Sequence, residues 1–459
     1  MKYSFIGLIL LSFFILSCGG EKNDFVTLFN GKNLDGWEIR NGEAPFTVED
    51  GVIIGTYTSG TPNTFLCTKE NYSDFILTFE GHLGEETNSG VMFRAQSKSD
   101  YKDGRVHGYQ MEMDPSKRKW TGGIYDEARR GWIYNLERNQ TAKTAFKLNE
   151  WNKYRIEAIG TSLNVWVNGV HTADLIDDVD AAGFIGLQVH SCKENLNGRQ
   201  VKFRNIKICT TNLDENRTAI ESPIVQNNYL KNTLSDREKT EGWKLLWDGK
   251  TTNGWRGGKL TEFPKQGWSI ENGELMVAGS DGAESDNGGD IVTIKKYENF
   301  ELEVDFKFSK AGNSGIKYFV DTELNMGKGS SIGCEFQILD DKLHPDAKKG
   351  KDGNRTLASL YDLIRADAHK FNPHESTQKR VNKYGWNRAR IVVTGADVEH
   401  YLNGILVVKY NRSGQQWKDQ VAASKYKKWP NFGEAKTGHI LLQDHGDQVF
   451  FKNIKIKEL

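Results

Sequence analysis

Three short segments carry side chains that would line a polar, ring-shaped ligand if each is extended chain. In GCEFQILD (333–340), alternation puts Cys334, Phe336 and Ile338 on one face and Glu335 and Gln337 on the other. In GHILLQDHG (438–446), Ile440 and Leu442 turn toward a core and leave His439, Gln443 and His445 opposite. In NSGIKYFV (313–320), Ile316 and Tyr318 alternate with Lys317 and Phe319. A carboxylate, a lysine, amides, imidazoles and an aromatic ring then share one sheet face. That set suits a sugar, with polar groups for hydroxyls and an aromatic face for the ring. The plainer alternative is the solvated side of a half-exposed antiparallel sheet. Such a side favours Thr, Lys and Tyr over His, Glu and Gln, so the set taken together points to a site.

The elements that must position these residues come from a duplication. Leu28-Phe29-Asn30-Gly31-Lys32 through Gly36-Trp37 matches Leu246-Trp247-Asp248-Gly249-Lys250 through Gly254-Trp255. Further matches follow in the same order: Asn88-Ser89-Gly90 with Asn313-Ser314-Gly315, GYQMEMD (108–114) with GCEFQIL (333–339), and Ile124-Tyr125-Asp126 with Leu360-Tyr361-Asp362. WNKYRIEAIG (151–160) pairs with WNRARIVVTG (386–395), GFIGLQVH (183–190) with GHILLQDH (438–445), and FRNIKI (203–208) with FKNIKI (451–456). Within each copy the segments alternate with period two, as in FELEVDFKF (300–308). Asp50-Gly51, Asn168-Gly169, Asn272-Gly273 and Asn403-Gly404 supply the positive φ angles of tight hairpins between such runs. The expected fold is all-β, two jelly-roll β-sandwiches in tandem, over 24–209 and 241–459. The segment 210–240 lacks an apolar period and reads as a linker. Ser235-Asp-Arg-Glu238 within it has capping-box spacing and predicts a short helix.

Lys plus Arg and Asp plus Glu both count 61, so no net charge draws the chain to nucleic acid. Residues 1–18, MKYSFIGLILLSFFILSC, read as a signal peptide ending in a small residue before Cys18. Lipidation of Cys18 would attach the exported protein to a bacterial membrane without a spanning segment, on the periplasmic face or the cell surface. The remaining cysteines, Cys67, Cys192, Cys209 and Cys334, match no zinc spacing. Either Cys192 pairs with Cys209, or all four are isolated thiols.

The motifs NGKxLxGW, NSG, WNxxRIxxxG, LNG, LQDHG and FxNIxI resemble the 3-keto-disaccharide hydrolase domain family, in both copies and over nearly all of the chain after residue 23. The second copy is the closer match. The first has Met92 for Lys317, Gln110 for Glu335 and Val189 for Asp444. The resemblance implies a concanavalin-like jelly roll acting on glycosides whose C3 hydroxyl a separate sugar 3-dehydrogenase has oxidised to a ketone. A ketone at C3 acidifies the C2 proton, so a base can remove it and the enolate expels the C1 substituent; water then adds or the enone leaves. His445 or Glu335 would be the base, and Lys317 or a divalent cation would stabilise the enolate. Glu335, Asp340 and His445 would suit Ca, Mn or Zn, although no compact ligand motif is present.

Candidate sugar contacts are Gln337, Phe319, His439, Gln443, Tyr361 and Trp429 in the second copy, and Gln110, Glu112, Gln188 and His190 in the first. The second copy also carries longer loops whose Trp417, Tyr426, Trp429 and Phe432 would wall the site or pack the loops down. Two other functions fit the sequence: a noncatalytic carbohydrate-binding lipoprotein, and an ordinary glycoside hydrolase with two carboxyl groups astride the bond.

Overall fold

The computed structural model describes residues 24–280, 284, 287–375 and 379–459. Cys18 and its leader lie outside them. Each copy is a two-sheet antiparallel sandwich. In the first, a nine-stranded sheet faces a seven-stranded one ordered 131–134, 124–127, 108–113, 89–95, 184–189, 64–68, 37–40. In the second, an eight-stranded sheet faces a five-stranded one ordered 255–257, 291–293, 439–442, 313–321, 332–339.

Period-two sequence makes these layers. On the strand Phe300–Phe308, Phe300, Leu302, Val304, Phe306 and Phe308 all enter the core. Burying such side chains contributes roughly 2 kcal/mol each. The Asx-Gly pairs turn as their chemistry requires, with Asn168 and Gly169 at φ 50° and 82° and Asn403 and Gly404 at 49° and 79°.

The other face of Phe300–Phe308 is polar but not solvated. Glu303 is only 6% exposed. Burial pushes its carboxyl up, yet Lys455, Arg388, Arg138 and Arg390 together hold it well below its ordinary range. Arg138 belongs to the first copy and also lies 3.3 Å from Glu301. The linker is folded into the same contact. Asn227–Asn228 adds a short parallel strand to the first copy's sheet beside Leu175–Ile176. Tyr229 donates to Ile133 O at 3.3 Å, while the Arg388 guanidinium lies 4.1 Å over its ring and Arg388 Nη2 bonds Asn228 O at 2.8 Å. The helix Asp236–Thr240 begins on the expected capping box of Ser235 and Glu238.

Cys67, Cys192, Cys209 and Cys334 are all free thiols, so Cys192 and Cys209 do not pair. Cys209 is buried and its Sγ meets Thr211 O, whereas Cys192 lies half-buried in a bridge beside Ser59.

Candidate functional site

The smaller sheet of each copy carries the sugar-site candidates on its outer face, and strand register fixes their rows. In the second copy Lys317 stands opposite Glu335 on one side and Leu441 on the other. Lys317 Nζ lies 3.7 Å from Glu335 Oε2, donates to Ser331 O at 3.2 Å, and donates to Ser330 Oγ as well. Ser330 in turn bonds Asp290 Oδ2. Both members of the pair are buried, Glu335 at 3% exposure. Burial pushes the Glu335 carboxyl up, Lys317, Lys425 and His445 pull it back, and Glu284 pushes it up again.

The next row holds Gln337, Gly315 and Gln443, with Gln443 N bonded to Gly315 O at 3.0 Å. Gln337 Nε2 donates to Asn313 and Gln443 Nε2 to Glu284, but the Oε1 of each amide is buried with no partner. His445 Nδ1 is in the same condition. Unpartnered buried polar atoms are costly unless a ligand satisfies them. Their concentration beside Glu335 is what marks the place as a site.

Two residues from loops complete it. Lys425 lies over the Tyr361 ring at 4.1 Å; burial pushes its ammonium down while the Glu335 charge pulls it back up. Glu284 accepts from Gln443 and from Ser330 N at 3.3 Å. Neither lies in a periodic segment, so sequence reasoning had no pattern by which to find them. Tyr361 borders Glu335, donating its N–H to Glu335 O at 3.1 Å and its hydroxyl to Asp346.

Other candidates fall elsewhere. Phe319 was expected on the polar face, but the register slips between Lys317 and Val320, and Phe319 takes φ 51°. This bulge turns its ring into the core, 6.2 Å from Phe300, and the Arg412 guanidinium covers it at 3.8 Å. His439 keeps the predicted face but not the row. It pairs with Val320, its Nδ1 bonds Thr293 O at 2.7 Å, and Val292, Val320 and Leu441 cluster on that part of the sheet. Trp429 is half-buried against the core, while Tyr426 and Phe432 stack at 4.0 Å and Phe432 stacks on Trp417 at 6.1 Å. The loop aromatics therefore hold the loops onto the sandwich.

The expected metal set does not fit either. Asp340 Oδ2 accepts from Ala311 N and the Tyr384 hydroxyl, both at 3.2 Å, and its Oδ1 accepts from Lys342 N. Its carboxylate thus holds a turn. Among the described residues no group of His, Cys, Asp or Glu has the arrangement of a metal centre.

The first copy builds a related but different place. Met92 pairs with Gln110 in the register that Lys317 shares with Glu335, so Gln110 does stand in the Glu335 position. Glu112 stands in the Gln337 position. It is 5% exposed and accepts from Asn88 Nδ2 at 2.8 Å and Gln110 Nε2 at 3.0 Å. Burial pushes its carboxyl up to about 7, with the amides opposing and Asp114 and Glu127 assisting. Gln110 Oε1 and both amide atoms of Gln188 are buried without partners. These residues, His190, Tyr125 and Trp132 line a cleft of about 700 Å³ that Arg380 of the second copy also borders. Arg129 and Arg130 are tied to Asp126, Asp177 and Asp180 and serve the framework.

A family model described as "3-keto-alpha-glucoside-1,2-lyase-like domain" matches residues 24–209 and again 242–457. A 3-keto-disaccharide hydrolase of Bacteroides thetaiotaomicron is 40% identical over 239 residues, which is 48% of this chain and 79% of that protein. Two crystal structures of candidate glycosyl hydrolases from Parabacteroides distasonis also align. One is 30% identical with TM-score 0.43, covering 50% of this chain and 100% of that one. The other is 28% identical with TM-score 0.36, covering 47% and 99%.

Proposed function

The chain belongs to the 3-keto-alpha-glucoside-1,2-lyase-like domain family, and from that premise we propose that it is a glycosidase-like enzyme cleaving 3-keto-glycosides, with its principal centre at Glu335 of the second copy. The observation that carries this reading is the buried Glu335–Lys317 pair, at 3.7 Å, beside three unpartnered polar atoms on Gln337, Gln443 and His445.

Each group has a task. Glu335, made more basic by burial, takes the C2 proton of the sugar. The electron pair moves into the C2–C3 bond and the C3 oxygen becomes an enolate beside the ammonium groups of Lys317 and Lys425. The enolate reforms the ketone as the C1–O bond breaks, and His445 protonates the departing oxygen. Water then adds its oxygen to C1 and gives its proton to His445, restoring it, while Glu335 returns its proton to C2, so the net reaction is hydrolysis. The unpartnered carbonyls of Gln337 and Gln443 accept from sugar hydroxyls. A separate sugar 3-dehydrogenase supplies the ketone. Lipidation at Cys18 holds the enzyme at the periplasmic face or the cell surface, where glycans are met.

The test offers the full-length protein matched glucosides with and without the 3-keto group and measures aglycone release. Cleavage of the oxidised sugar alone supports the proposal. Cleavage of both identifies an ordinary glycoside hydrolase, and binding without cleavage a carbohydrate-binding protein.

A further inference from the structure

The two copies place the same pair of side chain types on one strand in opposite order. Residues 335 and 337 are acid then amide; residues 110 and 112 are amide then acid. Register shows this to be a transposition on a shared face, since Met92–Gln110 and Lys317–Glu335 are equivalent pairs and side chains two apart point the same way. Replacement of Glu335 by Gln110 therefore does not empty the first copy of its carboxylate.

We propose that the cleft of the first copy is a second reaction centre for a 3-keto-glycoside, in which Glu112 is the proton acceptor and Gln188 the donor to the enolate oxygen. The inference rests on the function proposed above.

Three features of the cleft support it. Asn88 and Gln110 each give one hydrogen bond to Glu112, which fixes the carboxylate plane and leaves a lone pair on each oxygen for a substrate proton. Gln188 lies one residue beyond the Leu187–Val91 pair, with both amide atoms buried, unpartnered and on the cleft wall. An amide that gains no bonds within the fold is an oxyanion donor waiting for a ligand. Of the cations on the cleft wall, Arg118 is engaged by Asp114 at 2.9 Å and Arg380 by Glu375 at 2.8 Å, while Lys117 is exposed at the rim. Its raised proton affinity then makes Glu112 a base that works near neutrality.

In the reaction the C2–H pair becomes the C2–C3 bond of the enolate and the proton goes to Glu112. The C3 oxygen carries the charge against the Gln188 N–H. The C1–O bond then breaks, its pair leaves with the aglycone, and that oxygen takes a proton from water; the hydroxide produced recovers the proton held by Glu112. With Met92 in the Lys317 position and only a neutral amide to face the enolate, this centre is the slower of the two.

The experiment uses the full-length protein and 4-nitrophenyl 3-keto-α-glucoside. Glu335→Gln should leave measurable nitrophenol release whose rate rises with pH through about 7. Adding Glu112→Gln should lower that remainder at least about tenfold with the melting temperature of a folded chain. Release abolished by Glu335→Gln alone from an active wild type, or unchanged on adding Glu112→Gln, would overturn the second centre and leave the first reading standing. The pH profile of Glu335→Gln needs no second mutation, so a double variant that does not fold still leaves a deciding measurement: a rate that does not rise through that range counts against Glu112. An inactive wild type would overturn both proposals together.

Discussion

Gly315 leaves open the space in which the Glu335 carboxylate lies, for a Cβ at position 315 would stand 2.4 Å from Glu335 Oε1 and 2.9 Å from its Cδ. Gly90 does the same for Gln110, whose Cδ would be met at 2.6 Å. The NSG motif thus reserves a seat for the side chain on the neighbouring strand. The atoms that would be struck are the far end of a flexible side chain, so the fold can yield by moving the carboxylate. Gly315→Ala should accordingly keep its melting temperature within a few degrees and lose about a hundredfold in release from a 3-keto-glucoside, the usual result of a displacement near 1 Å. Full activity in that variant would show that the position of Glu335 does not matter.

Lys317→Met installs the first copy's residue at the second centre. It removes the cation 3.7 Å from Glu335 and leaves a buried carboxylate with less compensation. Turnover should fall at least about a hundredfold, and the rising limb of the pH–rate profile should move to higher pH because the pull on the Glu335 carboxyl is gone. Loss of rate without that movement would place Lys317 at the substrate alone.

The wild-type profile should itself be displaced upward from the ordinary carboxylate range. Burial raises the Glu335 carboxyl, and only the ionised form accepts the C2 proton, so rate increases as pH passes its raised value. Burial lowers the Lys425 ammonium, so its charge is lost at a pH below that of an ordinary lysine and the rate declines there. A rising limb that stays in the ordinary carboxylate range would argue against a buried carboxylate base.

Glu112 also predicts a stability change. Its carboxyl titrates near 7 when folded and near 4.5 as a free side chain, so the folded chain binds the extra proton between these values. Stability therefore falls as pH rises through that window, by up to about 3 kcal/mol from this group. Glu112→Gln should melt higher than wild type at pH 8 and much the same at pH 4. Thermal melts at the two values decide it, and equal offsets at both would refute the shift.

Much of the architecture was legible in the sequence. The repeat, the Asx-Gly turns and the Ser235 cap are local signals, and period two told which face Glu335, Gln337 and Gln443 would take. Faces are not rows, however. His439 shares the face of Gln443 yet lies among Val292, Val320 and Leu441, because alternation is silent on position along the strand. Phe319 departs for another reason: a bulge at a non-glycine residue with positive φ carries no composition signal. Glu284 and Arg380 come from irregular segments and Lys425 opens a single 3-10 turn, Lys425–Lys428, so no spacing rule applies to them. Glu112 carries the acid of the first copy two positions along the strand from Gln110, so a position-by-position match of the copies shows only a lost carboxylate.

The linker contact makes a further prediction. Residues 219–223 are exposed, whereas Asn228 and Tyr229 touch both copies, Asn228 beside Ile176 and under Arg388, Tyr229 at Ile133 O and under the same guanidinium. A protease site placed at 219–223 should, once cut, yield two fragments that elute together at the size of the intact chain. Separation without denaturant would mean that the contacts of Arg138 with Glu301 and Glu303, and of Asn227–Asn228 with Leu175–Ile176, do not hold the copies together.

Cys18→Ser should leave the protein in the soluble fraction or as an uncleaved precursor, because acyl chains at that residue are the proposed attachment. Unchanged membrane fractionation would refute the lipid anchor.

The exchange of acid and amide between residues 110 and 112 and residues 335 and 337 bears on how such an enzyme diversifies. A step of two residues shifts a reactive group about 7 Å along a strand while preserving its face. Two substitutions can thus slide the chemistry along a bound glycan as a stop slides along a rule, with charge, volume and fold held constant. A duplicated sandwich needs no new loop to meet the same C2 proton on a differently seated ring.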